Sequence, residues 1–154
     1  MGVRKANLRD ASEVLSVINI SNAEAYRKII PLQYFKEPVF AYEDILEKFK
    51  QMDFYVYELE GKIVGVAALE PKGDLANIRF VYVLPEHQRK GVGTSLVKYI
   101  EGEAKRFGFR KLRVPYVDMN ADWAINFYKK LGYRVVERRE KAWGFNLFFE
   151  KELE

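Results

Sequence analysis

The sequence predicts an α/β domain of the α+β kind, with a run of antiparallel strands flanked by amphipathic helices. Three observations carry that expectation. The apolar spacing switches repeatedly between a period of 3.6 and a period of 2 along the chain. The switches coincide with glycine- and proline-containing turns. The length of 154 residues, with 49% hydrophobic and 31% charged residues, suits one globular core and excludes a disordered chain. No internal repeat, low-complexity tract or linker divides it, so residues 1–154 are expected to form a single domain.

In order, residues 3–8 read as a first strand. Asp10 with Glu13 three residues on is a helix-start pattern, because a carboxylate accepts free backbone N–H groups at the positive end of the dipole. Val14, Leu15, Ile18 and Ala25 then fit one helical face, and a second short helix is expected over 23–30, stopped by Pro31. Ile45, Leu46 and Phe49 predict a helix over 42–52. Residues 54–60 and 62–70 alternate and are rich in β-branched and aromatic side chains, a hairpin closed at Gly61. After the Pro71-Lys72-Gly73-Asp74 turn, residues 75–84 form a further strand. Val97, Ile100, Ala104 and Phe107 line one face of a helix over 93–107, with Gly108 just past its end. A strand over 112–117, a helix over 121–131 closed by Gly132, and strands over 133–138 and 142–150 complete the chain, with residues 138–141 read as a solvated turn.

Composition removes several chemistries. With no cysteine there is no disulfide framework, thiolate metal site or cysteine nucleophile, and the single histidine, His87, excludes a multi-histidine metal site. No metal ligand set is expected. The net charge of +4 comes from basic residues interleaved with acidic ones, which suits a solubilising surface better than a nucleic-acid-binding face. No apolar run is long enough for a membrane span, the N-terminus lacks a signal-peptide core, and Ala6 breaks the myristoylation pattern, so a cytoplasmic location is expected.

The most informative stretch is residues 81–94. An apolar strand ends in a polar turn containing Gly91 and Gly93, and an amphipathic helix begins. Backbone N–H groups from Arg89 to Thr94 at a helix N-terminus form a natural phosphate site, glycine permits close approach, and Arg89 and Lys90 add positive charge. On these residues alone a phosphate site and a plain strand-to-helix turn are both open.

The core Gln88-Arg89-Lys90-Gly91-Val92-Gly93 resembles the pyrophosphate signature [QR]-x-x-G-x-[GA] of the GNAT superfamily of N-acetyltransferases. Residues 26–31 (YRKIIP) resemble a substrate-side segment of that family. Ala124, Phe127, Tyr128, Leu131, Gly132 and Tyr133 resemble its A-x-x-F-Y helix near the C-terminus. The resemblance implies a mixed, mainly antiparallel sheet of six or seven strands, splayed between the fourth and fifth. It implies that acetyl-CoA lies in the gap, with Val81, Tyr82 and Val83 along the pantetheine arm and Gln88, Arg89, Lys90, Gly91, Val92, Gly93 and Thr94 around the pyrophosphate. Phe127 would pack beside the arm, an N–H near Val83 would receive the oxyanion, and Tyr128 would act as general acid toward the sulfur. Asn120 stands one residue from the family's usual asparagine position, leaving a cofactor contact and a helix cap both open.

The implied activity is direct acetyl transfer to a primary amine (a protein N-terminus, a lysine or a small amine) by a monomer or homodimer. A non-catalytic CoA-binding regulatory module is the alternative. Residues 75–84 contain no carboxylate to serve as base; Glu70 and Asp118 are the nearest by topology and read as solvated surface groups, and His87 as an exposed loop residue. Tyr34, Phe35, Phe40 and Tyr42, with residues 138–143, either wall the acceptor site or hold short helices in place.

Overall fold

A computed structural model describes residues 2–154. Seven strands form one sheet: β1 Gly2–Lys5, β2 Asp53–Leu59, β3 Lys62–Lys72, β4 Leu75–Val83, β5 Lys111–Asp118, β6 Arg134–Lys141 and β7 Gly144–Glu152. Their order is β1-β2-β3-β4-β5-β7-β6, and every neighbouring pair is antiparallel except β4–β5, which is parallel. Four helices accompany them: α1 Ala11–Tyr26, α2 Tyr42–Gln51, α3 Val92–Arg106 and α4 Asp122–Lys130.

Strand alternation assigns the helices to faces. Phe54 of β2 stacks on Phe49 of α2, whereas its neighbour Tyr55 packs on Tyr99 of α3. α2 and α3 therefore lie on opposite faces. α1 packs on α2 and on β3 and β4. On the α3 face, Tyr128 of α4 meets Phe149 of β7. Across the sheet the strand register places Arg79, Asn77 and Arg113 on the α2 face together with Glu150 and Phe148. The core lies between the sheet and these helices and includes Val14, Ile18, Ile45, Leu96, Ile100 and Phe149, all fully buried. Among the described residues no helix is long and apolar enough to cross a membrane.

Several expectations are corrected. β1 ends at Lys5, and a 3-10 turn over Leu8–Asp10 leads straight into α1. Its cap is Asn7: the side chain accepts from the Arg9 N–H at 3.0 Å, while Asp10 accepts from the Asn7 N–H at 2.9 Å and binds Arg4. Asp10 thus turns back on Asn7 instead of capping α1. The expected second helix over 23–30 is absent, because nothing between Ile18 and Tyr26 breaks α1 and the chain beyond Arg27 runs as turns. Phe107 lies past the end of α3 and is 49% exposed, so it is not on the buried face. Residues 138–141 belong to β6, since the hairpin turns only over Ala142 and Trp143. The Gly61 hairpin stands as expected, and Glu60 shares its positive φ (52° and 77°), as a two-residue type I′ turn requires.

Candidate active site

β4 and β5 are paired only at Ala76↔Leu112 and Asn77↔Arg113. Beyond that level two bulges bend the strands apart. In β4, Phe80 and Val81 together oppose Ala67, with Phe80 at φ 57°. In β5, Pro115 and Tyr116 together oppose Phe148, with Tyr116 at φ 59°. A bulge leaves its extra residue unpaired and re-aims the strand, and Pro115 has no N–H to continue the ladder. The gap so formed is a cleft of about 530 Å³ running between β4 and β5, with α1, α3 and α4 at its sides.

At one end lies the glycine turn. A 3-10 turn over Pro85–His87 leads to Arg89 (φ 63°) and Gly91 (φ 84°), and Gly91 caps α3. The first N–H groups of a helix have no acceptor within it, so those of Gly91, Val92, Gly93 and Thr94 point out of the N-terminus. The two glycines serve different ends. Gly91 needs its left-handed backbone, and the space its Cβ would enter is open. A Cβ on Gly93 would sit 3.4 Å from the Phe127 ring, so Gly93 lets that ring press against the helix start. The Gln88 amide donates to the Val83 carbonyl at 3.0 Å, tying the turn to the strand end.

Along the cleft runs one edge of β4. The Leu84 N–H donates to Val64 of β3. By strand alternation Val81 and Val83 therefore turn their N–H and C=O groups into the gap. The Val83 carbonyl accepts from both Ser21 Oγ (3.2 Å) and Gln88 Nε2, which occupies both lone pairs. The Val83 N–H and both groups of Val81 remain to pair with an extended ligand.

Three phenols converge at the middle of the cleft: Tyr26, Tyr82 and Tyr128. Burial pushes Tyr128 well above the ordinary phenol range, reinforced by Tyr26. Burial likewise raises Tyr82, whose hydroxyl donates to Asn22 at 3.1 Å. Tyr26 is pushed up to about 12, mainly by burial and secondly by Asp118.

Neither nearby carboxylate is solvated. Glu70 is 8% exposed and accepts from Asn77 and Arg79. Asp118 is 4% exposed and accepts from Lys141, Trp143 and the Asn120 N–H. Burial alone would raise both; these donors outweigh it and hold each below the usual carboxylate range. His87 is half-buried against the cleft, not exposed.

Of the expected site residues, Val81, Tyr82, Val83, Gln88, Arg89, Gly91, Val92, Gly93, Thr94, Phe127 and Tyr128 all line this one cleft. Lys90 and Asn120 do not line it; both are exposed. Nor does Asn120 cap α4, whose cap is Ala121 without a side-chain acceptor. The aromatics of the α1–α2 segment divide: Phe40 packs on Phe80, while Tyr34 stacks on Trp143 at 4.8 Å and joins that segment to the β6–β7 turn. Ser21, Arg79, Tyr116 and Trp123 also line the cleft and were not anticipated. Arg79 alone had a signal, as the one charged residue in a strand otherwise largely apolar.

Residues 19–133 match the model of the Acetyltransferase (GNAT) family. An uncharacterized N-acetyltransferase of Chlorobaculum tepidum is 30% identical over 145 residues, covering 92% of this chain and 82% of that one. Probable N-acetyltransferase 14 of Xenopus tropicalis is 39% identical over 82 residues, or 52% of this chain. The chain spans only 39% of that protein's length, and 50% of a Methanocaldococcus jannaschii relative. The fold is shared with the PaiA N-acetyltransferase of Thermoplasma acidophilum, solved in complex with coenzyme A, at a TM-score of 0.80 and 20% identity over 97% of both chains. By sequence and by fold, this chain belongs to the GNAT acetyltransferase family.

Proposed function

We propose that the protein moves the acetyl group of acetyl-CoA directly onto a primary amine, with both substrates bound together in the β4–β5 cleft. The observation that carries this reading is convergence. The N-terminus of α3, the free edge of β4 at Val81 and Val83, and the buried Tyr128 hydroxyl all face one elongated gap. Gly91 leaves room above the helix start for a pyrophosphate, and Phe127 offers an apolar wall beside the pantetheine path.

The chain has no cysteine, so an acyl-cysteine intermediate is not part of the reaction. A neutral amine attacks the thioester carbonyl, and a β4 N–H near Val83 stabilises the oxyanion. As that intermediate collapses the C–S bond breaks, the sulfur leaves as thiolate, and the proton lost by the nitrogen accounts for the one the thiol gains. Tyr128 is less acidic than a thiol, whose ordinary pKa is about 8.5. Its role is therefore that of a donor which stays protonated while its hydrogen bond to the departing sulfur strengthens. Glu70 and Asp118 are held below the ordinary carboxylate range by their own donors, which makes them weak bases, and neither lines the cleft, so neither serves as base. The amine enters already deprotonated or loses its proton to water.

The test is amine-dependent release of the CoA thiol, with acetylated product identified by mass, across peptide N-termini, lysine peptides, polyamines and amino acids. The reading expects release with at least one class. A folded protein that binds acetyl-CoA yet releases no thiol with any of them overturns it and favours a CoA-binding module.

A further inference from the structure

Resting on the acetyl-transfer reading, we propose that Arg79 reads a free carboxylate on the acceptor, so that the preferred acceptor is an amino acid and not an amine lacking a nearby acid group.

Arg79 stands immediately before the bulge residue Phe80, where β4 parts from β5, and its side chain lines the cleft. It is on the α2 face, whereas the phosphate turn starts α3 on the other face. Val83 lies four positions further along β4, at most about 13 Å at the rise of an extended strand, with the Phe80 bulge between them. It therefore occupies the end of the cleft away from the glycine turn, where an acceptor must enter.

Its geometry is that of a prepared fork. Nη1 donates to Glu70 Oε1 at 3.0 Å, which anchors one corner. The guanidinium carbon lies 4.8 Å from the centre of the Phe80 ring and 5.8 Å from that of Tyr116, so an aromatic wall fixes its plane. Among the described residues no acceptor engages Nε or Nη2. The side chain is 23% exposed, open enough to meet a ligand and shielded enough for its charge to matter. A planar fork with one edge free matches a carboxylate.

The charge balance points the same way. Among the described residues no aspartate or glutamate lines the cleft; its imidazole and guanidinium side chains are Arg79, His87 and Arg89. Glu70 does not cancel Arg79 alone, because its one negative charge also faces Lys72 at 3.8 Å, leaving two cations to one carboxylate. A plain ammonium entering beside Arg79 meets like charge, and the one carboxylate there, Glu70, is already paired with Arg79. An amino acid brings its own: its carboxylate pairs with the guanidinium.

The experiment compares the amino acids, each against its own amide, its decarboxylated amine and a short peptide bearing it at the N-terminus, at saturating acetyl-CoA. It uses the wild-type protein, Arg79→Gln and Arg79→Lys. For the best amino acid, wild type should favour the free acid over its amide by about 10- to 150-fold in kcat/KM, the worth of a hydrogen bond to a charged group. Arg79→Gln should bring that ratio close to one through KM, with kcat nearly unchanged and acetyl-CoA affinity unaltered. A group that merely braced the bulge would weaken acid and amide alike. An amide or peptide acetylated as well as every free amino acid overturns the proposal, and so does a preference that survives in folded Arg79→Gln. Should that variant not fold, an undiminished preference in Arg79→Lys overturns it. If wild type turns over no amine, the acetyl-transfer reading has failed, and calorimetry on the CoA-loaded protein decides this one. Amino-acid binding that exceeds amide binding and is lost in the variants upholds it; equal binding, or none, ends it.

Discussion

Gly91→Glu isolates the field over the glycine turn. Gly91 has φ 84°, and a Cβ there would meet no atom within 4 Å, so the side chain branches into open space. Two effects remain. An L-residue held in the left-handed region costs about 1–2 kcal/mol, which lowers Tm by roughly 2–8 °C in a domain of this size. The new carboxylate also stands over the helix start where the proposed function puts the pyrophosphate. One pair of unit charges about 4 Å apart repels by about 1 kcal/mol in water and about 4 kcal/mol at an effective dielectric near 20, equivalent to roughly 5- to 1000-fold in CoA affinity. Gly91→Gln carries the same strain and bulk without the charge, so the Glu-to-Gln difference reads electrostatics alone. Calorimetric titration with CoA at low and high salt measures it, and the difference should shrink as salt screens it. A folded Gly91→Glu variant that binds CoA as tightly as Gly91→Gln refutes the assignment of this turn to the pyrophosphate.

Three further outcomes follow. Tyr128→Phe should lower kcat by about 10- to 150-fold, the worth of a hydrogen bond to a developing charge, while acetyl-CoA affinity changes little; steady-state kinetics beside calorimetry separates the two. Asp118 is held below its ordinary value of 3.8 in the fold, so its contribution is fully present above that value and is lost as pH falls through the lower, folded value. Melting temperature should therefore fall as pH drops below about 4, and Asp118→Asn should weaken that dependence while costing about 3 kcal/mol at neutral pH by leaving Lys141 unpaired; melts between pH 3 and 7 check both. A Cβ on Gly65 would lie 2.7 Å from Val92 Cγ1, so Gly65→Ala should destabilise by about 1–3 kcal/mol through strain at the start of α3, visible in urea titration.

What could be read from the sequence was local. The glycine turn, the amphipathic face of α3 and the hairpin at Gly61 depend on neighbours in sequence, and each stands where the spacing placed it, except that Phe107 falls past the end of α3 and is exposed. The Phe127-Tyr128 pair likewise falls on α4 and reaches the cleft. What escaped depends on contacts between distant residues. Asp118 and Glu70 read as surface groups because carboxylates usually are; Asp118 is buried only because Lys141 and Trp143 return to it from the β6–β7 hairpin. The bulges at Phe80 and Tyr116 leave no mark a single strand can show, since a bulge is a mismatch between two strands. Arg79 does carry a local mark, a lone charge in a largely apolar strand, but its place in the cleft depends on where β4 and β5 part. Asn120 failed as a cap because its backbone is already held by Asp118 and the helix starts one residue later.

The central claim, that the β4–β5 cleft is an acetyl-CoA site, is tested most directly by calorimetric titration of the protein with acetyl-CoA and, separately, with desulfo-CoA. Saturable one-to-one binding of both, weakened far more by Gly91→Glu than by Gly91→Gln, is the predicted result. Absence of binding by either ligand to the folded protein would contradict the account.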